Sequence, residues 1–123
     1  MRILIVDDEK DQLKALDMGL RSSGFETETA CSADEAMTLL DRQSHLVDLV
    51  ITDFVMPGIN GLQFLRVIKK KYPSMPVLIV SAMGTDQLFQ DVASSGGEMF
   101  MQKPFLIDEL VREIRKIAEH RVK

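Results

Sequence analysis

Five short apolar runs alternate with five longer amphipathic stretches along the chain. Ile3-Leu4-Ile5-Val6, Leu49-Val50-Ile51 and Val77-Leu78-Ile79-Val80 are continuous rather than alternating, the pattern of strands covered on both faces. Phe25 to Ala30 alternates and reads as a more exposed strand, and Met99-Phe100-Met101 as a fifth. The first helical stretch places Leu13, Leu16 and Leu20 on one face and stops at Ser22-Ser23-Gly24. Ser32 predicts a cap for the second, with Glu35 completing a capping box and Ala33, Ala36, Met37 and Leu40 as the apolar face. Pro57-Gly58 and Asn60-Gly61 mark a loop before a third helix carrying Leu62, Leu65 and Ile68. The fourth, Gly84 to Ser95, is polar for its length and lacks a strong apolar stripe. The fifth, from about Leu106 to the end, puts Ile107, Leu110, Val111, Ile114, Ile117 and Ala118 on one stripe.

Strict alternation of continuous strands with helices predicts an α/β fold, a parallel sheet with helices on both faces. Right-handed crossovers leave few topologies. The expected one is a flavodoxin-like, doubly wound (βα)5 fold with strand order 2-1-3-4-5. A length of 123 residues suits one domain, here 1–123, with no output domain expected. Hydrophobic residues at 46% and charged ones at 28% place the chain among globular rather than disordered sequences. A net charge of −4 weighs against direct nucleic-acid binding. The single Cys31 excludes an internal disulfide and a structural zinc site. There is no signal-peptide pattern and no apolar run near the ~18 residues of a membrane span, so a cytoplasmic location is expected.

In such folds ligands bind beyond the carboxyl ends of the strands. Past strand 1 stand Asp7 and Asp8, past strand 3 Asp53, past strand 4 Ser81 and past strand 5 Lys103. Strand 2 supplies nothing ionisable until Asp34. Converging carboxylates repel and raise one another's pKa values. Lys103 offsets one charge and a divalent cation would offset two more. Oxygen ligands without histidine or cysteine favour Mg²⁺, with Mn²⁺ a substitute. A carboxylate nucleophile, a metal, a lysine and a hydroxyl are the parts of a phosphoryl-transfer site. Taken singly, each part also has a plain role: aspartates after strands cap helices or close turns, Ser81 would cap the fourth helix, and Lys103 would be a surface lysine.

The combination Ile5-Val6-Asp7-Asp8-Glu9, Asp53-Phe54-Val55-Met56-Pro57-Gly58-Ile59-Asn60-Gly61, Ser81-Ala82 and Lys103-Pro104-Phe105 resembles the receiver domain of two-component response regulators, over essentially the whole chain. The resemblance implies that Asp53 is the phosphoacceptor, taking a phosphoryl group from a sensor histidine kinase or a histidine phosphotransfer protein. It implies Mg²⁺ ligation by Asp7, Asp8, Asp53 and the backbone carbonyl of Val55, with Asp8 the more direct of the acidic pair. It assigns Lys103 to the acceptor and its phosphate, with a cis bond to Pro104. Ser81 becomes the switch hydroxyl and Phe100 the switch aromatic. Phosphorylation would then draw Ser81 inward, let Phe100 follow, and alter the surface of the fourth helix, fifth strand and fifth helix for a downstream target or an output domain. A dimer through that surface is a further expectation.

Three departures from the family pattern stand out. The switch aromatic is Phe rather than Tyr, and the switch hydroxyl is Ser rather than Thr. Val55 and Met83, which flank the phosphoryl site, are apolar and cannot orient an attacking water, so slow dephosphorylation is expected. Two other readings compete. A phosphoaspartyl hydrolase of the haloacid-dehalogenase type needs an Asp-x-Asp nucleophile after strand 1, and the chain has Asp7-Asp8-Glu9. An FMN carrier needs a hydroxyl- and glycine-rich loop there, where the acidic run would repel a phosphate. The methionines, Cys31, His45 and His120 read as packing or surface. The basic end of the last helix, Arg115, Lys116, Arg121 and Lys123, complements the helix dipole.

Overall fold

The computed structural model describes the backbone of residues 1–122 and the side chains of residues 1–119. Strands β1 (Arg2–Val6), β2 (Glu26–Ala30), β3 (Leu49–Asp53), β4 (Val77–Ser81) and β5 (Met99–Gln102) form one sheet in the order β2-β1-β3-β4-β5. Every pairing is parallel. Helices α1 (Lys10–Ser22), α2 (Ala33–Gln43), α3 (Gly61–Lys71), α4 (Asp86–Ser94) and α5 (Ile107–Val122) make the crossovers. The predicted flavodoxin-like topology is therefore the observed one.

The continuous runs explain why the middle of the sheet is dry. β3 and β4 are buried at every position, whereas the edge strand β2 is buried only at Ala30. Alternation along each strand feeds two cores. Ile3, Ile5, Leu49, Ile51, Leu78 and Val80 pack with Leu13 and Leu20 of α1 and Leu110 and Ile114 of α5. Leu4, Val6, Val50, Val77, Ile79 and Phe100 face α2, α3 and α4. Each fully buried Leu or Ile contributes about 1.5–3 kcal/mol, so the two cores hold the strands as a rigid platform.

Helix ends follow local chemistry, with two differences from the sequence reading. Ser32 caps α2 by accepting from Glu35 N at 3.1 Å, but Glu35 Oε2 accepts from Cys31 N at 3.4 Å, so the box is not reciprocal. The reciprocal box is at α3, where Asn60 and Gln63 exchange two 2.8 Å bonds. Asn60-Gly61 by itself signals only a turn; the Gln at the third helical position is what turns Asn60 into a cap. α4 begins later than its polar run suggested, at Asp86, because Thr85 caps it by accepting from Leu88 N at 3.1 Å. It buries only Leu88 and Val92, where α3 buries Gly61, Phe64, Leu65 and Ile68. Asp108 and Glu109 occupy the first turn of α5, where they complement the helix dipole, while the side chains of His120, Arg121 and Lys123 lie outside the described residues. Among the described residues no helix is long and apolar enough to cross a membrane.

Candidate functional site

Register sets the site. The carboxyl ends of β1, β3, β4 and β5 step by only one residue or less from each strand to the next, so the residues that end or follow them meet at one rim. The Asp7 amide still donates to Ala30 O at 3.1 Å and the Phe54 amide to Val80 O at 3.0 Å, continuing the sheet to the edge of the pocket. Lys103 N donates to Ser81 O at 2.7 Å, which ties the start of the β5–α5 connection to the end of β4. The Lys103–Pro104 peptide is cis, as the resemblance implied.

Asp7, Asp8 and Asp53 each offer a carboxylate oxygen, and these three oxygens lie within 4.8 Å of one another. Asp7 and Asp53 are buried, at 4% and 8% exposure, while Asp8 faces solvent. Asp7 Oδ1 accepts from Glu9 N at 2.9 Å, and Asp53 Oδ1 from Phe54 N at 2.9 Å. Those bonds are the turn chemistry expected of an aspartate after a strand. Neither carboxylate caps α1, whose N-cap is Glu9 and whose first-turn amides receive no capping bond from the Glu9 side chain. Ser81 does not cap α4 either. It is fully buried, and its Oγ accepts from Met83 N at 3.1 Å.

Lys103 Nζ stands 3.6 Å from Asp53 Oδ1 and 3.9 Å from Asp7 Oδ2. Its hydrogen bond is to Gln12 Oε1, at 2.7 Å. Burial pushes the Asp7 carboxyl above its ordinary value, and the charges of Asp53 and Asp8 push the same way, against the Glu9 amide and Lys103. One ammonium near three carboxylates leaves the pocket short of positive charge. An all-oxygen donor set in that electrostatic state suits a hard divalent cation.

Residues 3–115 match the response regulator receiver domain family. The chain belongs to that family. Receiver domains are phosphorylation switches rather than enzymes acting on a separate substrate, and they pair with histidine kinases and output domains. The NtrX-like protein of Rickettsia felis is 34% identical over 119 residues, 95% of this chain and 25% of that one. The C4-dicarboxylate transport transcriptional regulatory protein DctD of Rhizobium meliloti is 32% identical over 97% of this chain and 25% of its own length. The chain thus spans about a quarter of the length of these curated relatives. Among solved structures, a receiver domain protein from Clostridium thermocellum superposes with a TM-score of 0.93 at 30% identity, covering 98% of this chain and 95% of that one. The CheX-CheY-BeF3-Mg²⁺ complex from Borrelia burgdorferi gives 0.91 at 28% identity, covering 96% and 89%. A solved relative of this receiver domain therefore contains Mg²⁺, in keeping with the acidic triad here.

Of the residues singled out from sequence, Asp7, Asp8, Asp53 and Lys103 come together in one pocket, with Ser81 ending the adjacent strand. Val55 and Met83 are exposed at 59% and 52% in the loops after β3 and β4. Phe100 lies apart from the carboxylates. It is buried on the α4 side of the sheet, edge-on to Phe89 with ring centroids 4.6 Å apart. Two neighbours of the site escaped the sequence reading. Gln12 bonds Lys103 from the first turn of α1; its only signal was standing three residues after Glu9, to which it also bonds. Gly61 shows in the sequence only as half of a turn signal. Its amide donates to Phe54 O at 2.7 Å, and a Cβ there would lie 2.7 Å from Asp53 O and 2.8 Å from Phe54 Cα.

Proposed function

We propose that this receiver domain accepts a phosphoryl group on Asp53 from a phosphohistidine of a sensor histidine kinase or a histidine phosphotransfer protein, in a Mg²⁺-dependent reaction in the cytoplasm. The observation that carries the reading is the meeting of Asp7, Asp8 and Asp53 within 4.8 Å, with Lys103 Nζ 3.6 Å from Asp53. Asp7, Asp8, Asp53 and the Val55 carbonyl would hold the cation, with Mn²⁺ a substitute. When bound, it would neutralise carboxylate charge and polarise the incoming phosphoryl oxygens.

Asp53 is the nucleophile. One carboxylate oxygen attacks phosphorus, the P–N bond to the donor imidazole breaks, and the imidazole nitrogen keeps the electron pair. The Phe54 amide on Oδ1 fixes the rotation of the carboxylate. Lys103 stands within a short movement of the three oxygens that arrive. Ser81 Oγ, which now accepts from Met83 N, turns its own proton toward the phosphoryl group. The loop from Ser81 to Thr85 is drawn with it and carries α4.

Phe100 is buried already and edge-on to Phe89 of α4, so a shift of α4 changes the packing of this ring rather than moving it in from solvent. The readout is the surface of α4, β5 and α5, offered to a downstream target, an output domain or a second copy of the chain. The few buried residues of α4 favour this direction, since a lightly held element costs least to move.

The test is intact mass after incubation with acetyl phosphate, with Mg²⁺ or with EDTA, beside Asp53→Asn. The expected result is a single Mg²⁺-dependent phosphoryl adduct, absent from the variant. A folded, Mg²⁺-binding protein that takes no adduct would overturn the proposal.

A further inference from the structure

Gln12 takes no part in the chemistry described above, yet it makes the hydrogen bond that Lys103 Nζ has among the described residues. Its Oε1 accepts from Nζ at 2.7 Å across 91 residues of sequence. Its Nε2 donates to Glu9 Oε2 at 2.7 Å. The two partners determine which way the amide faces. A carboxylate can only accept and an ammonium can only donate, so the reversed amide would lose both bonds. Glu9 thereby aims the amide oxygen at Lys103.

The ammonium is meanwhile 3.6 Å from Asp53 and 3.9 Å from Asp7, within ion-pair range but beyond a hydrogen bond to either. Without the Gln12 oxygen, the same side chain would gain by closing onto Asp53. A lysine bonded to Asp53 competes with a cation for that carboxylate and blunts the nucleophile.

We propose that Gln12 is a positioning residue that holds Lys103 between Asp7 and Asp53, bonded to neither, and so keeps both carboxylates open to a divalent cation. The inference rests on the reading of Asp7, Asp8 and Asp53 as the cation site. Glu9, the N-cap of α1, belongs to the same device, because it orients the amide.

The experiment is a calorimetric Mg²⁺ titration of the full chain. Gln12→Leu should weaken binding about fivefold, the net weight of one ordinary solvent-exposed hydrogen bond. Gln12→Ala should do the same without added bulk. Gln12 is exposed and leucine is a good helix former, so both variants keep the fold. In a Lys103→Met background, Gln12→Leu should leave the affinity where it was, since the lysine it positions is gone. The exchange Glu9→Gln with Gln12→Glu keeps an acceptor facing Lys103 and should restore affinity to within about twofold of the parent.

An unchanged affinity in Gln12→Leu, or an equal loss with and without Lys103, would overturn the inference. Adduct mass on the same samples separates this from failure of the underlying reading. An adduct on Asp53 with no effect of Gln12 sinks only the positioning role. No Mg²⁺-dependent adduct in the parent sinks the reading of the site.

Discussion

Asp7 and Asp41 serve the two ends of one sheet and titrate in opposite directions. Asp41, near the amino ends of the strands, accepts from Lys71 at 2.6 Å and from the Tyr72 hydroxyl; these bonds, Lys71 first, hold its carboxyl below the ordinary value. Asp7, at the carboxyl ends, is pushed up by burial and by its acidic neighbours. The same contrast runs along both rims. At the amino ends Arg2 pairs with Glu26 at 3.0 Å and with Glu28 at 3.3 Å, and Lys69 with Glu98 at 3.5 Å. At the carboxyl ends one lysine faces three carboxylates and bonds instead to an amide. Charge at the first rim is matched and largely exposed, which contributes little to stability. Charge at the second is concentrated, partly buried and unbalanced, an arrangement that costs the folded state and serves it only when something binds.

The largest expected effect that would break this contrast is on phosphoryl uptake. Asp53→Asn should abolish it, and EDTA should do the same to the parent, both read by intact mass. Asp41→Asn at the other rim should leave it unchanged. Next is the lifetime of the phosphoryl group. Val55→Asn with Met83→Glu gives the carboxyl rim polar shoulders able to orient water, and should speed loss of phosphate roughly tenfold. A rate equal to the parent's would show that apolar character there does not protect the acyl phosphate.

Lys103→Met should slow uptake yet tighten Mg²⁺ binding about fivefold, because the cation's competitor has gone. Weaker binding would mean the lysine assists the metal site. A smaller effect concerns stability. The folded state holds the Asp7 proton more tightly than the unfolded chain does. Stability therefore falls as pH rises from the ordinary carboxyl range through the raised value of Asp7, and stays lower above it. Asp7→Asn should raise the metal-free melting temperature at neutral pH by a few degrees, with the gain fading as pH falls below that interval. The smallest effect is the control, Tyr72→Phe, for which Mg²⁺ affinity should equal the parent's.

The strands were legible because central parallel strands carry continuous apolar runs, and the acidic pocket followed from asking what stands past each run. Asp7 with Asp8, Asp53 and Lys103 come from three strand ends far apart in the chain, and only a topology could join them. What stayed illegible depends on side-chain reach. Gln12 meets Lys103 across 91 residues, and no periodicity announces such a pair. The start of α4 hung on whether Ser81 or Thr85 did the capping, and both are good caps by type. Phe100 was placed on the right strand, but its packing against Phe89 depends on the rotation of α4, which a helix with two buried residues hardly records in its sequence.

Gly61 bears on how this protein tolerates inherited change. Any side chain at that position would press on the backbone of Asp53 and Phe54, and backbone cannot step aside as a flexible side chain can. In a library of single variants, position 61 should behave like a member of the reactive set although it contributes no functional group. Even alanine there should cut phosphoryl uptake before it visibly harms expression.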